Sequence, residues 1–180
     1  MKNPQSPIRL PPPLGGNPQS SLTPLDYAYR LLAQRAYSEQ ELADKLTAKG
    51  FTAAAVTRTV ARLKDQGYLD DTRLAADQAE RLRARGFGPA GIRAKLAQKG
   101  LSSEMIEQTL ESGGENQDLE SARQLLASRF APDALKQPQI CARAFRLLLR
   151  RGYSQEVGES LLGSMADDAW DIEKEHIDDG

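Results

Sequence analysis

Two stretches of this 180-residue chain, fifty residues apart, end in the same way, and that repetition constrains the fold more than any other feature. Leu46 to Thr52 reads LTAKGFT and Leu96 to Ser102 reads LAQKGLS. Each is the close of one helix and the start of another. A lysine suits the negative end of the helix dipole, and a glycine takes the left-handed cap. An apolar residue and a Thr or Ser follow, the latter placed to accept amide bonds from the next helix. A third, looser copy is Arg151-Gly152-Tyr153-Ser154. A chain carrying this signal three times is built from copies of one helical unit.

The copies can be followed residue by residue. Thr23 before Pro24 is a helix entry, with proline at the first helical position, and that helix runs to about Ala36. Ser38 and Glu41 form a capping box for a second helix carrying Leu42 and Leu46 on one face. A third begins at Thr52, with Val56, Val60 and Leu63 as its apolar stripe and Arg58 and Arg62 together on its outer side. The next copy starts at Asp70 or Asp71, carries Arg81, Arg83 and Arg85, turns at Gly86-Phe87-Gly88-Pro89, and continues with Ile92 and Leu96 inward and Arg93, Lys95 and Lys99 outward. Ile106 and Leu110 then repeat Val56 and Val60. Gly113 to Asn116 reads as a flexible break. In the last copy Ser121 to Phe130 and Gln139 to Arg151 are helices, the second with Phe145, Leu148 and Leu149 inward, and Gly158 stands where the repeat calls for an apolar residue.

The Tyr68-Leu69-Asp70-Asp71 entry with Arg73 and Ala75, the Arg85-Gly86-Phe87-Gly88 turn, and the Ile92, Leu96, Lys99-Gly100-Leu101 helix end together resemble the RecX family, over roughly residues 24–162. The resemblance implies a modular all-helical regulator that binds the RecA recombinase and its nucleoprotein filament. It further implies that the protein opposes RecA activity in recombination, DNA repair and the SOS response.

The fold expected is therefore all-α: three tandem three-helix repeats forming an elongated, curved body. The repeats are expected at 23–67, 68–114 and 115–165, between a Pro-rich disordered arm at 1–22 and an acidic tail at 166–180. Only 6% of residues are aromatic, while Ala, Leu and Arg abound, which suits helices rather than sheets. Without a long apolar run or an apolar leader, neither a membrane span nor export is expected, and the lone Cys141 suits a reducing cytoplasm.

Chemistry that needs convergent polar groups finds little support. His176 is the single histidine and lies in the acidic tail, Cys141 sits among apolar neighbours, and no phosphate-binding Gly-Lys-Ser/Thr loop occurs. Asp70 and Asp71 read as helix caps rather than metal ligands. The expectation is a non-enzyme without cofactor or metal.

Charge is what remains. The net value of −1 conceals a body at 21–163 with 21 basic and 18 acidic residues, and a tail at 164–180 with seven acids against Lys174. Within 58–100, ten basic residues face five acids. The candidate partner- or DNA-binding residues are accordingly Arg58, Arg62, Arg81, Arg83, Arg85, Arg93, Lys95, Lys99, Arg143, Arg146, Arg150 and Arg151. Tyr68, Phe87 and Tyr153, beside glycine turns, are read as packing residues rather than base-stacking ones. The protein is expected to act as a monomer on the RecA filament, with single- and double-stranded DNA as further candidate partners, and the basic residues leave open whether RecA or DNA receives them. A stand-alone helix-turn-helix DNA binder competing for DNA is the alternative. Opposite charges also suggest an auto-inhibitory contact of the tail with the basic middle.

Overall fold

The computed structural model describes residues 22–163, which contain nine α-helices and no strand. These are α1 (Pro24–Leu32), α2 (Glu39–Ala48), α3 (Ala53–Asp65), α4 (Asp71–Ala84), α5 (Pro89–Ala97), α6 (Ser103–Glu111), α7 (Glu115–Arg129), α8 (Pro138–Arg151) and α9 (Gln155–Leu162). The expected arm, and the tail with Trp170 and His176, lie outside the described residues. Among those described, no helix is long and apolar enough to cross a membrane, and no group of three His, Cys, Asp or Glu is arranged to hold a metal ion.

The chain forms two compact units, one ending at Leu74 and the other starting at Ala75, so the boundary falls inside α4. In the first unit Thr23 and Ser38 begin α1 and α2 with reciprocal capping boxes, each hydroxyl accepting the amide three residues on. The core gathers Ala28, Leu42, Leu46, Val56, Leu63 and Leu69, with Tyr29 and Tyr68 meeting edge to face at 5.3 Å. The paired aspartates act on two helices. Asp70 accepts the Arg73 amide of its own helix at 2.9 Å, whereas Asp71 accepts the Glu39 amide of α2 at 3.0 Å and so ties the start of α4 to the start of α2. Glu39 in turn pairs with Lys64 at 2.8 Å. Burial holds the Asp71 carboxyl above its ordinary pKa, against the pull of the Glu39 amide and Lys64.

In the second unit α4, α5 and α6 enclose Ala75, Ala79, Leu82, Ile92, Leu96, Leu101, Ile106 and Leu110. The fifty-residue correspondence extends to buried residues the apolar pattern does not flag. Thr59 and Thr109 are both buried, and the Thr109 hydroxyl donates to the Met105 carbonyl at 2.7 Å. A second cluster, Ala122, Leu125, Leu126, Ala144, Leu148 and Tyr153, is built by α7, α8 and the start of α9.

The two clusters meet along main chain. The Gly88 amide donates to the Arg151 carbonyl at 2.9 Å and the Ala90 amide to the Gly152 carbonyl at 3.0 Å. No side chain fits between. A Cβ on Gly88 would lie 2.6 Å from the Gly152 oxygen, and Gly152 itself holds φ +88° against the backbone of Gly91. Behind this seam the buried Ser121 hydroxyl donates to the Arg83 carbonyl at 2.9 Å and lies 2.9 Å from the Tyr153 hydroxyl. Burial raises the Tyr153 phenol pKa, which the Ser121 contact only partly offsets.

Four local expectations meet a different outcome. Helix α1 stops at Leu32 instead of reaching Ala36, and the chain turns before Tyr37 and Ser38 are buried. Thr52 precedes α3 without a side-chain cap bond, whereas Ser102 and Ser154 cap α6 and α9. Helix α7 begins at Glu115, six residues before Ser121, because the break is confined to the glycines and Gly114 adopts φ +70°. Leu149 is only half-buried, because the buried side of α8 runs through Cys141, Ala144, Phe145 and Leu148. The departure at Gly158 has a physical reason: the Phe145 ring occupies the space, 2.5 Å from where a Cβ would stand.

Candidate functional site

Helix α8 is sharply divided. Cys141, Ala144, Phe145 and Leu148 are buried on one side, so Arg143, Arg146 and Arg150, at three- and four-residue steps, are carried outward together. Arg129, from the last turn of α7, joins Arg143 and Arg150 along a groove of about 370 Å³ floored by Phe130, Ile140 and Leu147. Among the described residues no carboxylate lies within ion-pair distance of Arg129, Arg143 or Arg150. Arg129 is absent from the sequence-derived set. It comes from a different helix and belongs to no spacing that reading one helix reveals.

The arginines of α4 take alternating roles. Arg81 and Arg85 are exposed, and neither has a carboxylate partner among the described residues. Arg83 turns inward, its side chain only 10% exposed, with Nε 3.6 Å from an Asp118 carboxylate oxygen that is itself buried. That separation is too long for a hydrogen bond, so the two atoms face each other as charges. Desolvation dominates at Asp118 and raises its carboxyl pKa despite the guanidinium beside it. Arg83 Nη2 donates weakly to the Leu110 carbonyl at 3.5 Å.

The basic residues of α5 and the end of α8 are partly engaged. Arg93 grips Glu107 of α6 through two hydrogen bonds of 2.6 and 2.8 Å, which lower the Glu107 pKa and raise that of the guanidinium. Lys95 and Arg151 both lie over the Phe87 ring, at 4.8 and 4.7 Å from its centroid. Arg151 also donates to the Arg85 carbonyl at 3.2 Å, fixing the turn that follows Arg85. Lys99 is half-buried. Arg58 and Arg62 are exposed on α3 in the first unit. The second unit thus brings Arg81, Arg85, Arg93, Lys95, Arg143, Arg146 and Arg150 to one compact body while using Arg83 and Arg151 inside it.

Tyr153 is buried and so unavailable to nucleic-acid bases, half-buried Tyr68 meets the Tyr29 ring edge to face, and Phe87 lies beneath two cations. The exposed groups are cations on rigid helices above small apolar floors. Chemically, such an arrangement suits phosphates or carboxylates.

Comparison with known proteins places the chain in a family. The family model for the first three-helix domain of RecX matches residues 25–63, and that for the second matches 70–110. The regulatory protein RecX of Xanthomonas axonopodis pv. citri (strain 306) is 38% identical over 143 residues, covering 79% of this chain and 88% of the relative. The chain belongs to the RecX family. A RecX regulatory protein from Stenotrophomonas maltophilia (strain K279a) is 40% identical over 135 residues, with 73% and 80% of the two chains covered. In structure the chain resembles RecX from Lactobacillus salivarius, with a TM-score of 0.64 at 18% identity, covering 80% of this chain and 94% of that one. A second RecX crystal structure has a TM-score of 0.66 at 23% identity, over 76% and 70% of the chains. This RecX chain is thus an all-helical member of a regulatory family. The matched models stop at residue 110, so the arginine face of α8 lies beyond them.

Proposed function

We propose that this protein is a negative regulator of the RecA recombinase. It binds the RecA–DNA filament, inhibits RecA's ATP hydrolysis and strand exchange, and so moderates recombination, repair and the SOS response in the cytoplasm. Membership of a regulatory family supports the reading. The observation that carries it is the set of outward arginines without carboxylate partners, Arg81 and Arg85 on α4 and Arg143 and Arg150 on α8. A polyanionic filament offers phosphates and acidic side chains at many points, and cations on preformed helices bind it without a cost of ordering backbone, each arginine giving up only side-chain freedom. Arg58, Arg62, Arg93, Lys95, Lys99 and Arg146 add to the same field, whereas Arg83 and Arg151 serve by holding the body together.

The test is RecA ATPase on single-stranded DNA with this protein below one copy per RecA, beside a mobility assay on DNA alone. Inhibition at substoichiometric amounts with weak binding to bare DNA is expected. Replacing Arg81, Arg85, Arg143 and Arg150 by alanine should weaken inhibition and flatten its salt dependence by about 0.7–0.9 in logarithmic slope for each lost phosphate contact. Inhibition that appears only when DNA is saturated would instead make the protein a competing helix-turn-helix-like DNA binder.

A further inference from the structure

The groove between the end of α7 and α8 combines two properties. Its floor is apolar, with Phe130, Ile140 and Leu147 half-buried, and its rim carries Arg129, Arg143 and Arg150 without carboxylate partners among the described residues. A polynucleotide would use the rim and leave the floor idle. A ligand that uses both is acidic and carries a large apolar side chain.

The same chain contains such a ligand. Residues 164–180 hold seven acids and one lysine, and Asp167, Asp168, Asp171 and Glu173 flank Trp170 on both sides. This segment follows α9, whose Leu161 and Leu162 pack on the same apolar cluster as Phe130 and Leu147. Trp170 lies seven residues beyond Gly163, a reach of up to about 23 Å in extended chain. Tethering makes the encounter intramolecular, at millimolar effective concentration for a short flexible link.

We propose that the acidic C-terminal segment docks in the α7–α8 groove of its own chain, with Trp170 on the apolar floor and the flanking aspartates on Arg129, Arg143 and Arg150. Docking withholds these arginines until a stronger polyanion displaces the segment. The contact stands on groove and tail chemistry and does not depend on RecA being the target.

Trp170 is the single tryptophan, so its fluorescence reports this segment alone. In the full-length protein at low salt, without DNA or partner, Trp170 should be shielded from acrylamide. Shielding should disappear at about 1 M salt, where the screening length falls to about 3 Å. It should also be lost in the triple variant Arg129→Glu, Arg143→Glu, Arg150→Glu, which removes three exposed ion pairs and lowers occupancy about tenfold. Adding Asp167→Lys, Asp168→Lys and Asp171→Lys to that variant should restore shielding. If the triple variant loses its helical signal, Asp167→Asn, Asp168→Asn and Asp171→Asn, outside the described helices, test the same contact and should expose Trp170. Acrylamide quenching of the wild-type protein equal to that of free indole overturns the proposal, as does shielding that survives the groove reversal. Shielding that grows with protein concentration gives the groove to a second copy and overturns docking within one chain.

Discussion

Replacing Gly88 by alanine separates two physical accounts of the α5–α8 seam by sign. Gly88 has φ −82°, an ordinary conformation for any residue. On local grounds alone, alanine there reduces the freedom of the unfolded chain and stabilises by about 0.4–1 kcal/mol. The seam reverses this. An added Cβ would stand 2.6 Å from the Gly152 oxygen and 2.6 Å from the Tyr153 nitrogen, about 1 Å short of an ordinary contact. Moving the strands of backbone apart by that amount takes the bonds of 2.9 and 3.0 Å at Gly88 and Ala90 beyond hydrogen-bonding range. Two lost bonds, one of them from the buried Gly88, and the packing around them should cost about 2–4 kcal/mol. Urea unfolding followed by helical circular dichroism gives the difference, and hydrogen exchange at Ala90 shows whether the seam opened. A variant as stable as the parent, with Ala90 still protected, would refute the argument that main-chain contact closes the seam.

Four further outcomes follow from charges and rings. Arg83→Met and Asp118→Leu should each destabilise by about 2–4 kcal/mol by leaving a buried charge unmatched, while the double variant should recover most of the loss in a urea-melt cycle. Because burial raises the Asp118 pKa, its contribution is present below the unfolded value and is lost as pH rises through the folded one, so Asp118→Asn should flatten the acid-side pH profile of stability. Glu107 behaves oppositely: Arg93 lowers its pKa, so the pair supports folding above the ordinary glutamate value and fails as pH falls through the folded one, and Glu107→Gln should free Arg93 and steepen the salt dependence of polyanion binding. Gly158→Val, which the repeat pattern invites, should destabilise because Phe145 already fills the site, and Phe145→Leu in the same chain should recover part of the loss in a thermal melt.

The helical repeat is legible in the sequence because its information is local. Thr23, Ser38, Ser102 and Ser154 announce helix starts within three residues of the amides they cap, and the glycine endings mark the stops. Leu42 and Ile92, or Leu46 and Leu96, recur at one offset because both copies bury the same face. What is not legible depends on residues far apart in the chain. Arg81, Arg83 and Arg85 look alike in sequence, yet Asp118 and Leu110, from α7 and α6, draw Arg83 alone inward. Asp71 reads as a cap for its own helix, but the amide it satisfies belongs to Glu39 of α2. Helix α7 is obscured at its start because its first six residues, up to Glu120, include a single apolar residue, Leu119, which is only half-buried. Arg129 reaches the groove from the end of α7, so no pattern within α8 points to it.

The seam made of Gly88, Ala90, Arg151 and Gly152 also sets how the protein responds to its medium. Its bonds join uncharged amides and carbonyls, so added salt and neutral-range pH changes leave them intact. The outward arginines respond in the opposite way, since their attraction to any acidic surface fades over a few ångströms as salt rises. Grip and framework therefore answer to separate variables. A shift in ionic strength can release what the protein holds while its helices keep their places, which makes release reversible without refolding.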